Sequence, residues 1–188
     1  MIDAAITLVA GQLNQALKRQ FTWTEDLVAV CNLREADGAA VTQAANKVAA
    51  FLVNIEREAL FGSGVGMNLD RSGLQAPPLH LNLLLMFTAN FGGSNYAEAL
   101  KFLSSTVAFF QSKPVFTHSN APDLDSRIEK LTLEIETLSF SDLSNLWGII
   151  GGNYLPSVLY RMRLLSFDAG QINAQIPRVS QPEAGVRG

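Results

Sequence analysis

The chain is poor in charge, has almost no cysteine and contains no long apolar run. Only 16% of its 188 residues are charged, with a formal net charge of -3. A charged share well below the usual quarter leaves much neutral surface, which suits burial against further copies or a partner. There is no broad basic field, so no nucleic acid partner is expected. The single cysteine, Cys31, excludes an intramolecular disulfide. It lies within Leu27-Val28-Ala29-Val30-Cys31 and reads as a small core residue. No stretch reaches the roughly 18 apolar residues of a membrane-spanning helix. Even Leu79 to Met86 is interrupted by His80 and Asn82. Direct membrane insertion is therefore not expected. The first residues lack the basic-then-apolar pattern of a signal peptide, which fits synthesis and assembly in the cytoplasm.

Catalytic chemistry is equally thin. The two histidines, His80 and His118, stand far apart, and neither has metal-ligand neighbours at the required spacing. The loop Gly62-Ser63-Gly64-Val65-Gly66 is followed by Met67-Asn68-Leu69, without the lysine and hydroxyl residue that a phosphate-cradling loop needs. It reads as a connection between strands. No serine, histidine and aspartate constellation suggests nucleophilic catalysis. Asp123 and Asp125 follow no calcium-loop pattern and read as turn residues. The sequence thus predicts no catalytic residue, no cofactor and no metal site, and the chain is not expected to be an enzyme.

What the chain does have is core material, with 48% hydrophobic residues. Ile2, Ala5, Ile6, Val9, Leu13, Ala16 and Leu17 recur at helical steps, predicting a helix over 2–19. Asp26 to Leu33 is apolar on both alternating faces and reads as a central strand covered on both sides. Asp37-Gly38 marks a turn. Lys47 to Glu58 reads as a strand with Phe51, Val53 and Ile55 on one face. Leu79 to Thr88 reads as the most hydrophobic strand, with Leu79, Leu81, Leu83, Leu85 and Phe87 on one face. A second helix is predicted over 96–111, with Leu100, Leu103, Val107 and Phe110 as its main stripe and Phe102 and Phe109 as another.

Val115-Phe116 suits a short strand. Leu131, Leu133 and Ile135 alternate with Lys130, Thr132, Glu134 and Glu136 in the next one. A third helix over 141–150 carries Leu143, Leu146, Trp147 and Ile150, with Trp147 read as core. Gly151-Gly152 stops this helix, and Ser157 to Phe167 forms the last strand. The fold class is α/β: one mixed sheet packed by about three helices. Residues 1–168 form the domain. Ala169 to Gly188 carries three glycines and two prolines and reads as a tail that orders on a partner.

Arg161 and Arg163 share one face of the last strand. They either lie opposite Glu134 and Glu136 on a paired strand or dock a partner. The sequence favours neither. Tyr154, Arg161, Arg163 and, in the tail, Ile172, Ile176 and Arg178 are the candidate partner-interface residues.

Several segments carry a resemblance. They are Met1-Ile2-Asp3, Asn46-Lys47-Val48, Leu52-Val53-Asn54-Ile55-Glu56-Arg57-Glu58 and Pro77-Pro78-Leu79-His80-Leu81-Asn82. They continue with Tyr96-Ala97-Glu98-Ala99-Leu100, Phe109-Phe110-Gln111-Ser112-Lys113-Pro114-Val115-Phe116 and Ile128-Glu129-Lys130-Leu131. The last are Leu146-Trp147 and Gly151-Gly152-Asn153-Tyr154-Leu155-Pro156-Ser157-Val158-Leu159-Tyr160-Arg161. In unbroken order over roughly 1–168, the chain resembles the N-terminal domain of cap, or tube-terminator, proteins of extracellular contractile injection systems, which are phage-tail-like particles.

The resemblance implies a tail-terminator-like fold and a non-enzymatic role. It implies a hexameric ring closing the end of the inner tube and contacting the last sheath layer. The implied partners are further copies of the chain, the inner tube protein and the sheath protein, in a particle that is released or membrane-held. The rival expectation is an adaptor anchoring the particle to a membrane-associated or cargo partner.

Overall fold

The computed structural model describes residues 1–58 and 80–166. Helix α1 spans Ile2–Phe21. Its buried residues Ala5, Ile6, Val9, Ala10, Leu13 and Leu17 form one stripe, with Asp3 in the first turn and Lys18 and Arg19 in the last, as the helix dipole favours. The helix ends at Thr22, in the left-handed conformation at φ 52°. Strand β1 is Val28–Val30, β2 is Lys47–Arg57 and β3 is His80–Asn90. Helix α2 is Tyr96–Ser112, β4 is Val115–Thr117 and β5 is Ile128–Glu136. Helix α3 is Phe140–Ile150 and β6 is Ser157–Ser166.

The six strands form one sheet in the order β1-β2-β3-β6-β5-β4. Only the β1–β2 pair is parallel, so the sheet is mixed. The described residues are α/β, one mixed sheet with three α-helices, as the pattern predicts. One sheet face is buried under α1 and α2. Leu83, Leu85 and Phe87 of β3, Leu131 and Leu133 of β5, and Tyr160, Met162 and Leu164 of β6 meet the two helices there. The helices lie antiparallel, tied by Gln20 Nε2 donating to Ser105 Oγ at 3.0 Å and Lys113 Nζ donating to Gln12 Oε1 at 3.1 Å. The centre of this core is aromatic. The Phe110 ring lies 5.0 Å from Phe87 and 4.9 Å from Tyr160, centroid to centroid. Burying each such side chain stabilises the fold by roughly 1.5–3 kcal/mol. The Tyr160 hydroxyl is buried without a hydrogen-bond partner, and burial pushes its phenol up to about 12.

The opposite face is apolar over only one half. Ala49, Phe51, Met86 and Leu159 pack there with Trp147 of α3 and with Leu33 and Ala44 from the β1–β2 connection. Trp147 is thus core, as its spacing predicts. Ser139 caps α3, accepting from Asp142 N–H at 3.1 Å, and Gly151 ends the helix at φ 71°, the left-handed conformation that glycine tolerates.

Four expectations need correction. Asp26 to Leu33 is not a central strand. Only Val28–Val30 is extended, it sits at the sheet edge, and Val30 is 44% exposed. Leu27 and Val28 pack in the α1 cluster, and Asn14 Oδ1 of α1 accepts from Leu27 and Val28 N–H. On β2, a register shift between Leu52 and Asn54 splits the expected face. Phe51 and Val53 join the Trp147 cluster, whereas Ile55, opposite Leu83, turns to the helix side and is 45% exposed.

On α2 the buried residues are Ala99, Phe102, Ser105, Thr106 and Phe110. Phe102 stacks on Phe91 and meets Phe21. Of the expected stripe only Phe110 is buried. Leu103 and Val107 are half-buried and Leu100 is exposed on the flank. An apolar residue count does not distinguish such a flank from the stripe that aromatic partners select. Finally, Ile135 is 50% exposed, because it lies at the end of β5.

Candidate interaction surface

The half of the second face away from α3 is polar, and the strand register explains why. Antiparallel partners share a face. Asn54, Leu84, Arg161 and Glu134 make one cross-strand row. Glu56, Asn82, Arg163 and Thr132 make the next. His80, Leu165 and Lys130 follow, with Glu58 N–H donating to His80 O at 3.1 Å. The result is acid on β2, base on β6 and acid again on β5.

Arg161 is held hard in this ladder. Its Nε–H donates to Glu136 Oε2 at 2.7 Å and its Nη1–H to Glu56 Oε2 at 2.6 Å. These charge-assisted bonds hold the Glu136 carboxyl below its ordinary range, and they raise the guanidinium further. Arg163 is looser. It lies 3.8 Å from Glu58 and 3.7 Å from Glu134, beyond hydrogen-bond distance, and its side chain is 48% exposed. Opposite Arg163 on β3, Asn82 is buried with its Oδ1 unpartnered.

The sequence left the two arginines open between pairing within the sheet and docking a partner. Both form ion pairs inside the sheet, and Arg163 also keeps an open side. The pairing is offset from the simple one, since Glu134 lies opposite Arg161 in register while Arg161 binds Glu136. Glu56 and Glu58 were missed as partners. Their signal was the same two-residue spacing that marked Glu134 and Glu136, but only the strand order β2-β3-β6-β5 joins the pairs.

Tyr154 is 59% exposed, with its ring edge-on to Trp147 at 5.6 Å. Ile172, Ile176 and Arg178, and the Gly62–Gly66 loop, lie outside the described residues. Elsewhere, Asp125 accepts from Arg127, whose guanidinium holds that carboxyl well below the usual range. His118 Nε2 lies 2.9 Å from Ile128 O. Among the described residues no three histidine, cysteine, aspartate or glutamate side chains gather as a metal site, and no helix is long and apolar enough to cross a membrane.

The sheet is thus buried on one side and, on the other, half apolar and half ion-paired, with carboxylates of β2 and β5 tied to guanidinium groups of β6. The model of the Pvc16 N-terminal domain matches residues 4–181, and the chain belongs to that family. Among solved structures it is similar to the sheath/tube terminator, in the extended state, of an extracellular contractile injection system, PVC. Identity there is 18% and the TM-score 0.53, over 94% of this chain and 62% of that one. It is also similar to the anti-feeding prophage cap, a tube terminating cap, at 14% identity and TM-score 0.51, over 92% of this chain and 60% of that one. At such identities the likeness is one of fold. The chain therefore spans about three fifths of the length of each of these relatives. No curated protein matches it.

Proposed function

We propose that this chain is a structural cap that terminates the inner tube of a contractile injection particle. The observation that carries the reading is the family match over 4–181, joined to a shared fold with a sheath/tube terminator and a tube terminating cap. The finer reading is a ring of six copies that closes the tube end and meets the last sheath layer. Unlike surfaces on neighbouring copies form contacts that close after a full turn. A ring that copies the tube's symmetry below and offers no stacking surface above halts growth.

The role is non-enzymatic, and the partners are further copies, the inner tube protein and the sheath protein. Assembly takes place in the cytoplasm. Tyr154, Arg161 and Arg163 belong to the contact surface of the domain, 1–168. The tail, 169–188, reaches the sheath through Ile172, Ile176 and Arg178, by strand addition.

The test is to tag the protein in its host, purify what accompanies it and image the product by negative-stain electron microscopy. Rods with the tag at one end are expected. Isolated rings without rods would favour an adaptor, and a lone monomer would overturn the reading. Deleting 169–188 should weaken sheath attachment and leave the ring intact.

A further inference from the structure

Among the described residues, the sheet carries an edge that its strands leave partly open. Strand β1 covers β2 only from Val48 to Ala50. Strand β2 runs on to Arg57, and no described strand flanks that stretch. Backbone parity fixes what it offers. Val48 N–H donates outward to Leu27 O and Ala50 O accepts from Cys31 N–H, so even-numbered residues face outward at the start of the strand. The register shift at Leu52/Asn54 reverses this. Glu58 N–H then donates inward to His80 O, which turns the N–H and C=O groups of Ile55 and Arg57 outward.

The side chains beside this edge differ between its two faces. Ile55 stands half exposed on the helix side. On the ladder side stand Glu56, held by one hydrogen bond from Arg161, and Glu58, whose nearest cation is 3.8 Å away. Across the sheet the ladder runs acid, base, acid, so β2 is an acidic outer row, with no base outside it among the described residues.

We propose that the β2 edge at Leu52–Arg57 takes up an extended segment of a partner protein as an added strand. The segment places lysine or arginine opposite Glu56 and Glu58 and an apolar residue opposite Ile55. Backbone hydrogen bonds to Ile55 and Arg57 hold the strand, and the basic residues continue the alternation of charge and set its register. The inference stands whether or not the chain caps a tube.

The experiment titrates the whole chain, isotope-labelled, with an end-capped peptide of core Lys-Thr-Lys-Val-Thr and follows amide resonances. Saturable shifts are expected at Leu52, Ile55 and Arg57. The same core with glutamate for lysine should bind about tenfold more weakly, as should the Glu56→Gln/Glu58→Gln protein, since two partly exposed ion pairs are removed. Glu58→Gln alone, which removes no side-chain hydrogen bond among the described residues, should account for part of that loss. A lysine peptide N-methylated at alternate edge-facing amides should not bind. No saturable binding, equal binding of the glutamate peptide, undiminished binding of the N-methylated one, or shifts elsewhere would each overturn the proposal.

Discussion

Arg161 allows the ladder to be tested quantitatively. Replacing it with methionine keeps the aliphatic bulk and removes two hydrogen-bonded ion pairs, to Glu136 at 2.7 Å and Glu56 at 2.6 Å. The arginine side chain is 24% exposed, and its partners 29% and 39%. Each pair should therefore contribute more than the ~0.2–1 kcal/mol of a fully exposed one. It should contribute less than the ~3–5 kcal/mol lost when a buried pair is broken. About 1 kcal/mol per pair predicts a loss of about 2 kcal/mol at pH 7, or ~4–8 °C in Tm for a chain of this size.

The pH dependence has a fixed sign. The Glu136 carboxyl is lowered in the folded state. Its contribution is therefore complete above the ordinary carboxylate value of about 4.3 and disappears as pH falls through the lowered value. Urea denaturation should show wild type and Arg161→Met further apart at pH 7 than near pH 2.5. A cycle with Glu136→Gln should give a coupling of about 1 kcal/mol at neutral pH. A gap unchanged between the two pH values, or zero coupling, would mean that Arg161 matters for packing alone.

Other outcomes can be checked with the isolated protein. Phe110→Ala opens a cavity between Phe87, Phe109 and Tyr160 and should cost about 3–5 kcal/mol by chemical denaturation. Ser139→Ala removes the cap on α3 and should cost about 1 kcal/mol, restored by Ser139→Thr, which keeps the hydroxyl that accepts from Asp142 N–H and donates to its carboxylate. Burial pushes the Cys31 thiol up. The side chain is only partly buried, so a disulfide reagent at pH 8 should label the folded protein more slowly than the urea-unfolded chain, and equal rates would contradict that partial burial.

The sequence made some features legible because the local pattern and the tertiary packing agree. Helix α1 is one: a single apolar stripe, with charges placed for its dipole, leaves one way to pack. Strand β3 is another, since its alternation survives intact between β2 and β6. The errors fall where a distant partner decides. Phe102 is buried, and Leu100 is not, because Phe21 and Phe91 meet it. Ile55 leaves the face of Phe51 because one extra residue in β2 reverses the alternation, and nothing in the residues themselves announces that insertion. Of the candidate surface, the Arg161 and Arg163 pattern was visible with Glu134 and Glu136. The β2 half of the ladder was not, because it depends on which strands become neighbours.

That neighbour order also governs the order of events in folding. Strand β6, the last of the described strands, lies between β3 and β5 in the middle of the sheet. While the chain is being synthesised, β2 and β3 can pair as a hairpin, and β4 and β5 as another. Neither half can join the other until Ser157–Ser166 has emerged from the ribosome. Until then the apolar faces of Leu83, Leu85 and Phe87 lie beside a vacant edge. Closing it takes contacts between residues some 80 positions apart, a slow class of pairing. The nascent chain is thus most prone to aggregate just before its last strand arrives.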